Sequence, residues 1–172
     1  MSNAVNFAAG AESGAVKTCG QNFSKDSGII SFIGEVDELN SRLGLIKAML
    51  SSINKPQNSF LHDCQFIERI QKNLMKLMSH AYDEKNNEYF FSGDEAADLE
   101  NETGRLADNI PKLTGFVLPG KNIMEAQIQI ARTAARRAER SFFSVNGSLR
   151  QSGGEYLNKL SGYLFFLSQQ EF

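Results

Sequence analysis

Three arginines in one stretch of the sequence have the spacing of a single helix face. Arg132, Arg136 and Arg140 stand four residues apart within IARTAARRAERSFFSV, residues 130–145. At about 100° per residue, a helix places them with Glu139 on one arc roughly 100° wide. Like charges at this spacing repel one another unless anions lie nearby. The sequence therefore predicts that this arginine row, as we call the three residues, faces either carboxylates of another helix or the phosphate oxygens of a ligand.

The same helix has an apolar face beside the arginine row, which predicts that it packs against a core. That face consists of Ala131, Ala134, Ala135, Ala138, Phe142 and Val145. An acid and an amide of an earlier predicted helix, Asp37 and Asn40, flank its apolar stripe and could meet the arginine row. Ordinary polarity of a helix surface is the alternative interpretation of these two residues.

Four long amphipathic segments and one short one are predicted to position these side chains. The clearest apolar stripe begins near Gly28 and consists of Phe32, Val36, Leu39, Leu43, Ile46 and Leu50. Because no strand pattern or internal repeat is credible, the sequence predicts an all-α fold, a five-helix antiparallel bundle. Residues 28–172 are expected to form one domain. Residues 1–27, which contain Gly10 and Gly14 among small polar residues, are expected to be a loop or flexible arm.

Local signals predict where the later helices begin and end. Ser92 or Asp94 is expected to cap a short third helix that runs to about Asn109. The last helix is expected to begin near Gly154, with Tyr156, Leu157, Leu160, Tyr163, Leu164 and Leu167 facing inward. Between these helices, GFVLPGKN at residues 115–122 is a loop that leads into the arginine helix, where functional residues are common.

Composition excludes several classes of function. With 172 residues and a net charge of -2, the chain is unlike general nucleic-acid-binding or membrane-surface proteins. No apolar run is long enough to cross a bilayer, and the N-terminal residues lack a basic segment before an apolar one, so a cytoplasmic location is expected. Cys19, Cys64, His62 and His80 lack metal-ligand spacing, so no metal site is predicted.

Three stretches together resemble the PduO-type ATP:cob(I)alamin adenosyltransferases. They are IGEVDELNSRLGL at residues 33–45, FVLPGKN with IARTAARRAER within residues 116–140, and YLNKLSGYLF at residues 156–165. The resemblance extends from about Gly20 to the C-terminus. It implies a five-helix bundle assembled as a homotrimer, with ATP and a corrinoid bound between neighbouring subunits. The implied reaction is attack by cob(I)alamin on the 5′ carbon of ATP, which gives adenosylcobalamin and triphosphate.

The resemblance also assigns roles to individual residues. It implies that Arg132 contacts Asp37 as the catalytic pair, and that Phe116, with Val117, packs below the corrin ring and keeps the lower axial base off cobalt. The nucleotide-binding residues it implies are Gly10, Gly14, Lys25, Arg132, Arg136, Glu139 and Asn158. Mg²⁺ is expected to accompany ATP. A reductase and an adenosylcobalamin-dependent enzyme are the implied partners.

The sequence departs from the family pattern mainly at the nucleotide end. The altered positions are Ala11, Ala15, Asn22, Ser27, Lys121, Gln129 and Gly162. Lost phosphate contacts would weaken ATP binding, so a non-catalytic or regulatory corrinoid-binding relative is the alternative function. A third interpretation is an interaction bundle in which the arginine row forms only ion pairs with Asp37 and its neighbours across an interface.

Overall fold

A computed structural model of the chain describes residues 14–18, 21–53, 60–82, 92–111, 115–145 and 150–172. Two short strands precede five helices: β1 Ala15–Thr18, β2 Gln21–Ser24, α1 Gly28–Ser52, α2 Leu61–Tyr82, α3 Asp94–Ala107, α4 Ile123–Phe142 and α5 Arg150–Ser168. The prediction of five helices is confirmed. None of the helices in these ranges is both long and apolar enough to cross a membrane.

The core of the bundle is built from the apolar stripes of the helices. All six stripe residues predicted for α1 are buried, and so are the six predicted for α5. In α2, Phe66 and Ile70 belong to the buried face, while Cys64 and Met78 are only partly buried. The helical period therefore identified most of the core, since one face of each helix must leave water.

Most neighbouring helices run in opposite directions. Phe32 near the start of α1 packs on Phe142 at the end of α4, with ring centroids 5.2 Å apart. Further along α1, Glu38 bonds Arg137, which lies earlier in α4. Three other helix pairs are antiparallel for the same reason, since residues later in one helix contact residues earlier in the other. The contacts are Lys47–Glu68 and Ser51–Cys64 between α1 and α2, and Lys76–Glu95 and His62–Glu102 between α2 and α3. Between α4 and α5 they are Glu139–Asn158 and Gln129–Ser168. By contrast, α3 and α5 run parallel, with Lys159 on Glu100 and Gln170 on Leu106.

Two local predictions were wrong. Residues 15–24 lie in the segment predicted to be a loop or flexible arm, but β1 and β2 pair there as an antiparallel hairpin, with Ala15 opposite Ser24. The strands are too short to show an alternating pattern in sequence. At α3, Gly93 occupies the N-cap position that was predicted for Ser92 or Asp94, with φ of 102°, and Asp94 is already helical. Ser92 still contributes to the start of the helix, because its hydroxyl accepts the backbone N–H of Asp94 at 3.2 Å.

An ion-pair network joins α1 to α4 just beside the arginine row. Arg137 donates to both Glu35 and Glu38, and Arg42 donates to Glu38 at 2.9 Å. Hydrogen bonds from Arg42 and from Arg137 hold the pKa of Glu38 below its ordinary value, despite some opposing desolvation. The network links residues about a hundred positions apart in the chain, which is why no local pattern indicates it.

The network predicts that Glu38→Gln is harmful at neutral pH and nearly harmless in acid. Because the folded-state pKa is depressed, the stabilisation exists above the unfolded-state pKa of about 4.3 and is lost as the pH falls below it. For a half-exposed pair we expect a loss of roughly 0.5 to 1 kcal/mol in the free energy of unfolding at pH 7. Urea unfolding of Glu38→Gln and of the unmodified protein at pH 7 and pH 3 measures this loss. A difference in the free energy of unfolding that is the same at both pH values would contradict the role of the Glu38 carboxylate in the network.

Candidate functional site

The long exposed edge of α4 carries the candidate site. Asn122 starts the helix by accepting the backbone N–H of Glu125 at 2.8 Å through its side chain, so Ile123 begins the first turn. From there the apolar face of α4 turns inward, as predicted, and Ala131, Ala134, Ala135 and Ala138 are buried. The small alanines bring α4 close to its neighbours, and the adjoining arc leaves the arginine row on the outside.

Arg132 lines a cleft at the N-terminal half of α4. Its Nε donates to the side-chain oxygen of Gln129 at 2.6 Å. The cleft has a volume of about 250 Å³ and is formed by Pro119, Gly120, Ala126, Gln129, Ile130, Arg132 and Thr133. A guanidinium beside a largely apolar cleft can bind an anionic group whose other end is apolar.

The other two members of the arginine row are exposed. Arg136 and Arg140 make no hydrogen bond or ion pair with the part of the chain that the structure describes. Asp37 is likewise exposed on α1, and within these residues it does not contact Arg132. No acid among the described residues therefore neutralises the arginine row, and the pairing of Arg132 with Asp37 stays a prediction.

Two predicted nucleotide-binding residues meet at the C-terminal half of α4. The side-chain amide of Asn158, on α5, donates to Glu139 at 2.9 Å. Because α4 and α5 are antiparallel and adjacent, residues far apart in the sequence lie at the same level of the bundle. The bond leaves the amide oxygen of Asn158 at the surface, where it can accept a hydrogen bond from a ligand.

The hairpin brings two further predicted residues together. The backbone N–H of Lys25 donates to the carbonyl oxygen of Gly14 at 2.9 Å, and Gly14 has φ of 63°, which glycine adopts without strain. The hairpin rests on the end of α2, where the rings of Phe23 and Tyr82 are 5.6 Å apart. Gly10, the remaining predicted glycine, lies outside the described residues.

The loop before α4 presents apolar side chains to the outside. Phe116 is fully exposed and Leu118 is 87% exposed, while Val117 is half-buried. Glu125, itself buried, fixes the end of this loop by accepting the backbone N–H groups of Gly120 at 2.6 Å and Lys121 at 3.2 Å. An exposed aromatic residue on a loop fastened at its base is suited to packing against a flat ligand.

The sequence analysis missed three residues that organise the site: Arg137, Glu125 and Gln129. The acidic pair Glu35 and Glu38, spaced three apart on α1, was a usable signal for a cation such as Arg137 on a facing helix. Glu125 stands three residues after Asn122, which is the spacing of a capping box. The only sequence signal at Gln129 was that its residue type departs from the family pattern at that position. Among the described residues, no cluster of three or more His, Cys, Asp or Glu side chains offers a metal site.

The two ends of the site lie far apart within one chain. Asn122, at the end of the apolar loop, and Arg136 are separated by about 20 Å along the axis of α4, at a rise of about 1.5 Å per residue. The hairpin leads into α1 at Gly28, whose carbonyl oxygen accepts the hydroxyl of Ser144, just after α4, at 3.3 Å. Phe116 and the hairpin with Lys25 therefore lie toward opposite ends of α4. Within a single subunit the loop of Phe116 therefore lies far from Arg136, and of the arginine row only Arg132 borders the cleft beside that loop.

Comparison with known proteins places the fold in a family. The chain matches the model of the cobalamin adenosyltransferase family over residues 10–171. It is 32% identical over 158 residues to the corrinoid adenosyltransferase PduO of Citrobacter freundii, covering 88% of this chain and 45% of that protein. It is 31% identical over 152 residues to the cobalamin adenosyltransferase of Cupriavidus metallidurans, covering 87% of this chain and 78% of that one. The chain thus spans less than half the length of the Citrobacter relative.

Solved structures give the same result. A variant of the PduO-type ATP:corrinoid adenosyltransferase of Lactobacillus reuteri, complexed with cobalamin and ATP, superposes with a TM-score of 0.77 at 27% identity, covering 91% of this chain and 87% of that one. Another variant of the Lactobacillus reuteri enzyme, complexed with ATP, also has a TM-score of 0.77, at 26% identity. With the family match over nearly its whole length, the chain belongs to the cobalamin adenosyltransferase family.

Proposed function

We propose that this protein is a corrinoid adenosyltransferase, which transfers the 5′-deoxyadenosyl group of ATP to cob(I)alamin. The arginine row carries the proposal. Among the described residues, Arg136 and Arg140 are exposed without a partner, and Arg132 is bonded only through its Nε. Unpaired guanidinium groups in a row match the oxygens of a triphosphate, which they can bind in pairs. The relatives named corrinoid adenosyltransferases support this ligand.

The chemistry that these residues serve is a displacement at carbon. The electron pair of cobalt(I) forms a bond to the 5′ carbon of ATP, the bond from that carbon to the phosphate oxygen breaks, and triphosphate leaves with its electrons. Negative charge therefore grows on the leaving oxygen. Arg132 and Arg136 offset that charge, while Asn158, held by Glu139, and the hairpin with Gly14 and Lys25 keep the nucleotide in line with cobalt. The redox chemistry itself belongs to the corrinoid.

The geometry of one chain supports a site shared between subunits, and the resemblance to the family implies that these subunits form a homotrimer. Within one chain, much of the length of α4 lies between the apolar loop and Arg136. Asp37 does not contact Arg132 within that chain. A neighbouring subunit can supply the missing half if its loop lies against the exposed edge of α4. Arg132 and Asp37 would then pair across the contact, as the resemblance implies. Light scattering that shows a monomer with full activity would contradict the shared site.

Mg²⁺ and the partner proteins belong to the same proposal. We expect Mg²⁺ to enter with ATP, coordinated mainly by phosphate oxygens and water. A reductase must supply cobalt in its reduced state, and an enzyme that uses adenosylcobalamin must take up the product. The cytoplasmic location remains a prediction from sequence.

Phe116→Ala should reduce transfer without changing the free energy of unfolding. Because Phe116 is fully exposed, its truncation removes no core contact, and we expect a change within about 0.5 kcal/mol in unfolding. The lost contact with the corrin face is worth roughly 1.5 to 3 kcal/mol, so the transfer rate should fall about 10-fold to 100-fold. Leu61→Ala, at a half-exposed apolar residue on α2, is the matched control and should keep the normal rate. Equal rates for Phe116→Ala and the unmodified protein would contradict the role.

A direct assay tests the proposal as a whole. Purified protein is mixed with ATP, Mg²⁺ and chemically reduced cobalamin, and adenosylcobalamin is followed by its absorbance while triphosphate is quantified. We expect the two products in equal amounts. No product at saturating substrates would reject catalysis. Cobalamin binding by calorimetry, without ATP binding, would instead indicate the non-catalytic corrinoid-binding alternative, in which the altered positions around Ala11 and Ala15 have abolished nucleotide binding.

A further inference from the structure

Gln129 is a buried amide that is hydrogen-bonded on both sides at the base of the cleft. Only 4% of the surface of this residue is exposed to solvent. On one side its nitrogen donates to the hydroxyl of Ser168, on α5, at 2.9 Å. On the other side its oxygen accepts the Nε–H of Arg132 at 2.6 Å. A buried amide with both ends bonded cannot rotate without leaving a polar group unsatisfied.

The partners of Gln129 permit only one orientation of the amide. The single hydroxyl proton of Ser168 is donated to the carbonyl oxygen of Phe165 at 2.7 Å, so toward Gln129 this hydroxyl can only accept. Its second lone pair accepts the amide of Gln169 at 2.8 Å. The Nε–H of Arg132 can only donate. The nitrogen of Gln129 must therefore face Ser168, and its oxygen must face Arg132.

This arrangement restrains one nitrogen of Arg132 and leaves the others available. Within the described residues, the two terminal nitrogens of the guanidinium have no hydrogen-bond partner. Arg132 borders the cleft that Pro119 and Gly120 also line. An arginine that is already held at Nε loses less rotamer freedom when its terminal nitrogens bind an anion.

We infer that Gln129 is a positioning residue for Arg132, anchored to α5 through Ser168. It points the terminal nitrogens of Arg132 into the cleft, where they bind an anionic group of the ligand. The identity of that group as a phosphate of ATP rests on the proposed function. The restraint itself depends only on the three hydrogen-bonded side chains, and it can be tested without any ligand.

Gln129→Met tests the restraint in the unliganded protein. Methionine has nearly the same length and volume but cannot accept a hydrogen bond, so the Nε–H of Arg132 loses its buried acceptor. We expect the Nε–H of Arg132 to exchange with solvent at least about 10-fold faster than in the unmodified protein. The exchange is followed by ¹H–¹⁵N NMR, and the Nε–H resonance of Arg132 is the one that disappears in Arg132→Lys. Gln129→Glu retains an acceptor oxygen and should keep the slow exchange. Ser168→Ala removes the anchor and should also accelerate exchange, which provides a second test should Gln129→Met fail to fold.

Catalytic measurements on the same variants test the effect on the ligand. In Gln129→Met we expect kcat/KM for ATP to fall about 10-fold, the loss of one charge-assisted contact. Gln71→Met is the matched control, because Gln71 donates to the backbone oxygen of Asn40 at 3.2 Å between α1 and α2, a bond in which Arg132 takes no part. It should change neither the exchange of Arg132 nor kcat/KM.

The outcomes separate this inference from the proposed function. Absence of transfer by the unmodified protein would reject the function, while the exchange experiment would still decide whether Gln129 restrains Arg132. Normal transfer by the unmodified protein, together with unchanged exchange and unchanged kcat/KM in Gln129→Met, would overturn the inference alone. Equal losses of kcat/KM in Gln129→Met and Gln71→Met would also overturn the inference, because they would indicate a general loss of stability.

Discussion

Arg136→Ala should lower kcat/KM for ATP by about 10-fold to 100-fold while leaving the free energy of unfolding nearly unchanged. Its guanidinium is exposed and has no partner in the described part of the chain, so the folded subunit loses no contact. A hydrogen bond between charged groups contributes roughly 1.5 to 3 kcal/mol, which corresponds to the expected loss in rate. Steady-state kinetics at varied ATP and calorimetric titration with ATP measure it.

The adjacent residue provides a matched control. Arg137 lies next in the sequence but points to α1, where it binds Glu35 and Glu38. Arg137→Ala should therefore lower the free energy of unfolding by roughly 1 to 2 kcal/mol, as expected for a half-exposed pair of ion pairs. ATP affinity should fall less in Arg137→Ala than in Arg136→Ala. If Arg137→Ala lowered ATP affinity more than Arg136→Ala did, and Arg136→Ala lowered the free energy of unfolding more, the assignment of Arg136 to the ligand would be wrong.

Phe142→Ala should cause the largest loss of stability, about 3 to 5 kcal/mol. The ring is fully buried at the end of α4 and packs edge-on against Phe32. Its other neighbour is Gly153 on α5, where an added Cβ would lie 2.8 Å from two ring carbons. Truncation leaves a cavity at the junction of three helices. Urea unfolding at one fixed protein concentration measures the loss, because subunit association also changes apparent stability.

A double-mutant cycle with Gly153→Ala tests the packing directly. Alone, Gly153→Ala forces the Phe142 ring to move and should cost about 1 to 3 kcal/mol. In the Phe142→Ala background the ring is absent and only the Cδ1 of Leu77, at 3.0 Å, stays close to the added methyl group, which should therefore cost much less. The two effects should therefore be non-additive by at least about 1 kcal/mol. Gly104→Ala, at a glycine of α3 with open space around it, is the matched control and should be additive. Simple additivity at Gly153 would contradict the close contact of α4 with α5.

The faces of the helices followed from sequence, whereas their partners did not. Val36 and Leu43 are buried and Arg136 is exposed because the helical period places each residue on a face before any packing occurs. The hairpin was missed because each strand has four residues, which is too short for a periodic signal. The start of α3 was misplaced because Gly93 adopts a left-handed conformation there, and composition does not reveal a backbone angle.

By itself, the sequence determined the family, the five helices and the arginine row, because these depend on residues that are near one another along a helix. Only the tertiary structure decided that Arg137, and not Arg136, is neutralised by Glu35 and Glu38, and that the amide of Gln129 lies between Ser168 and Arg132. Both outcomes depend on which side chains of distant helices reach the same level of the bundle. That level is set by core packing, since the register of two helices is fixed by all their buried contacts together and not by any single residue.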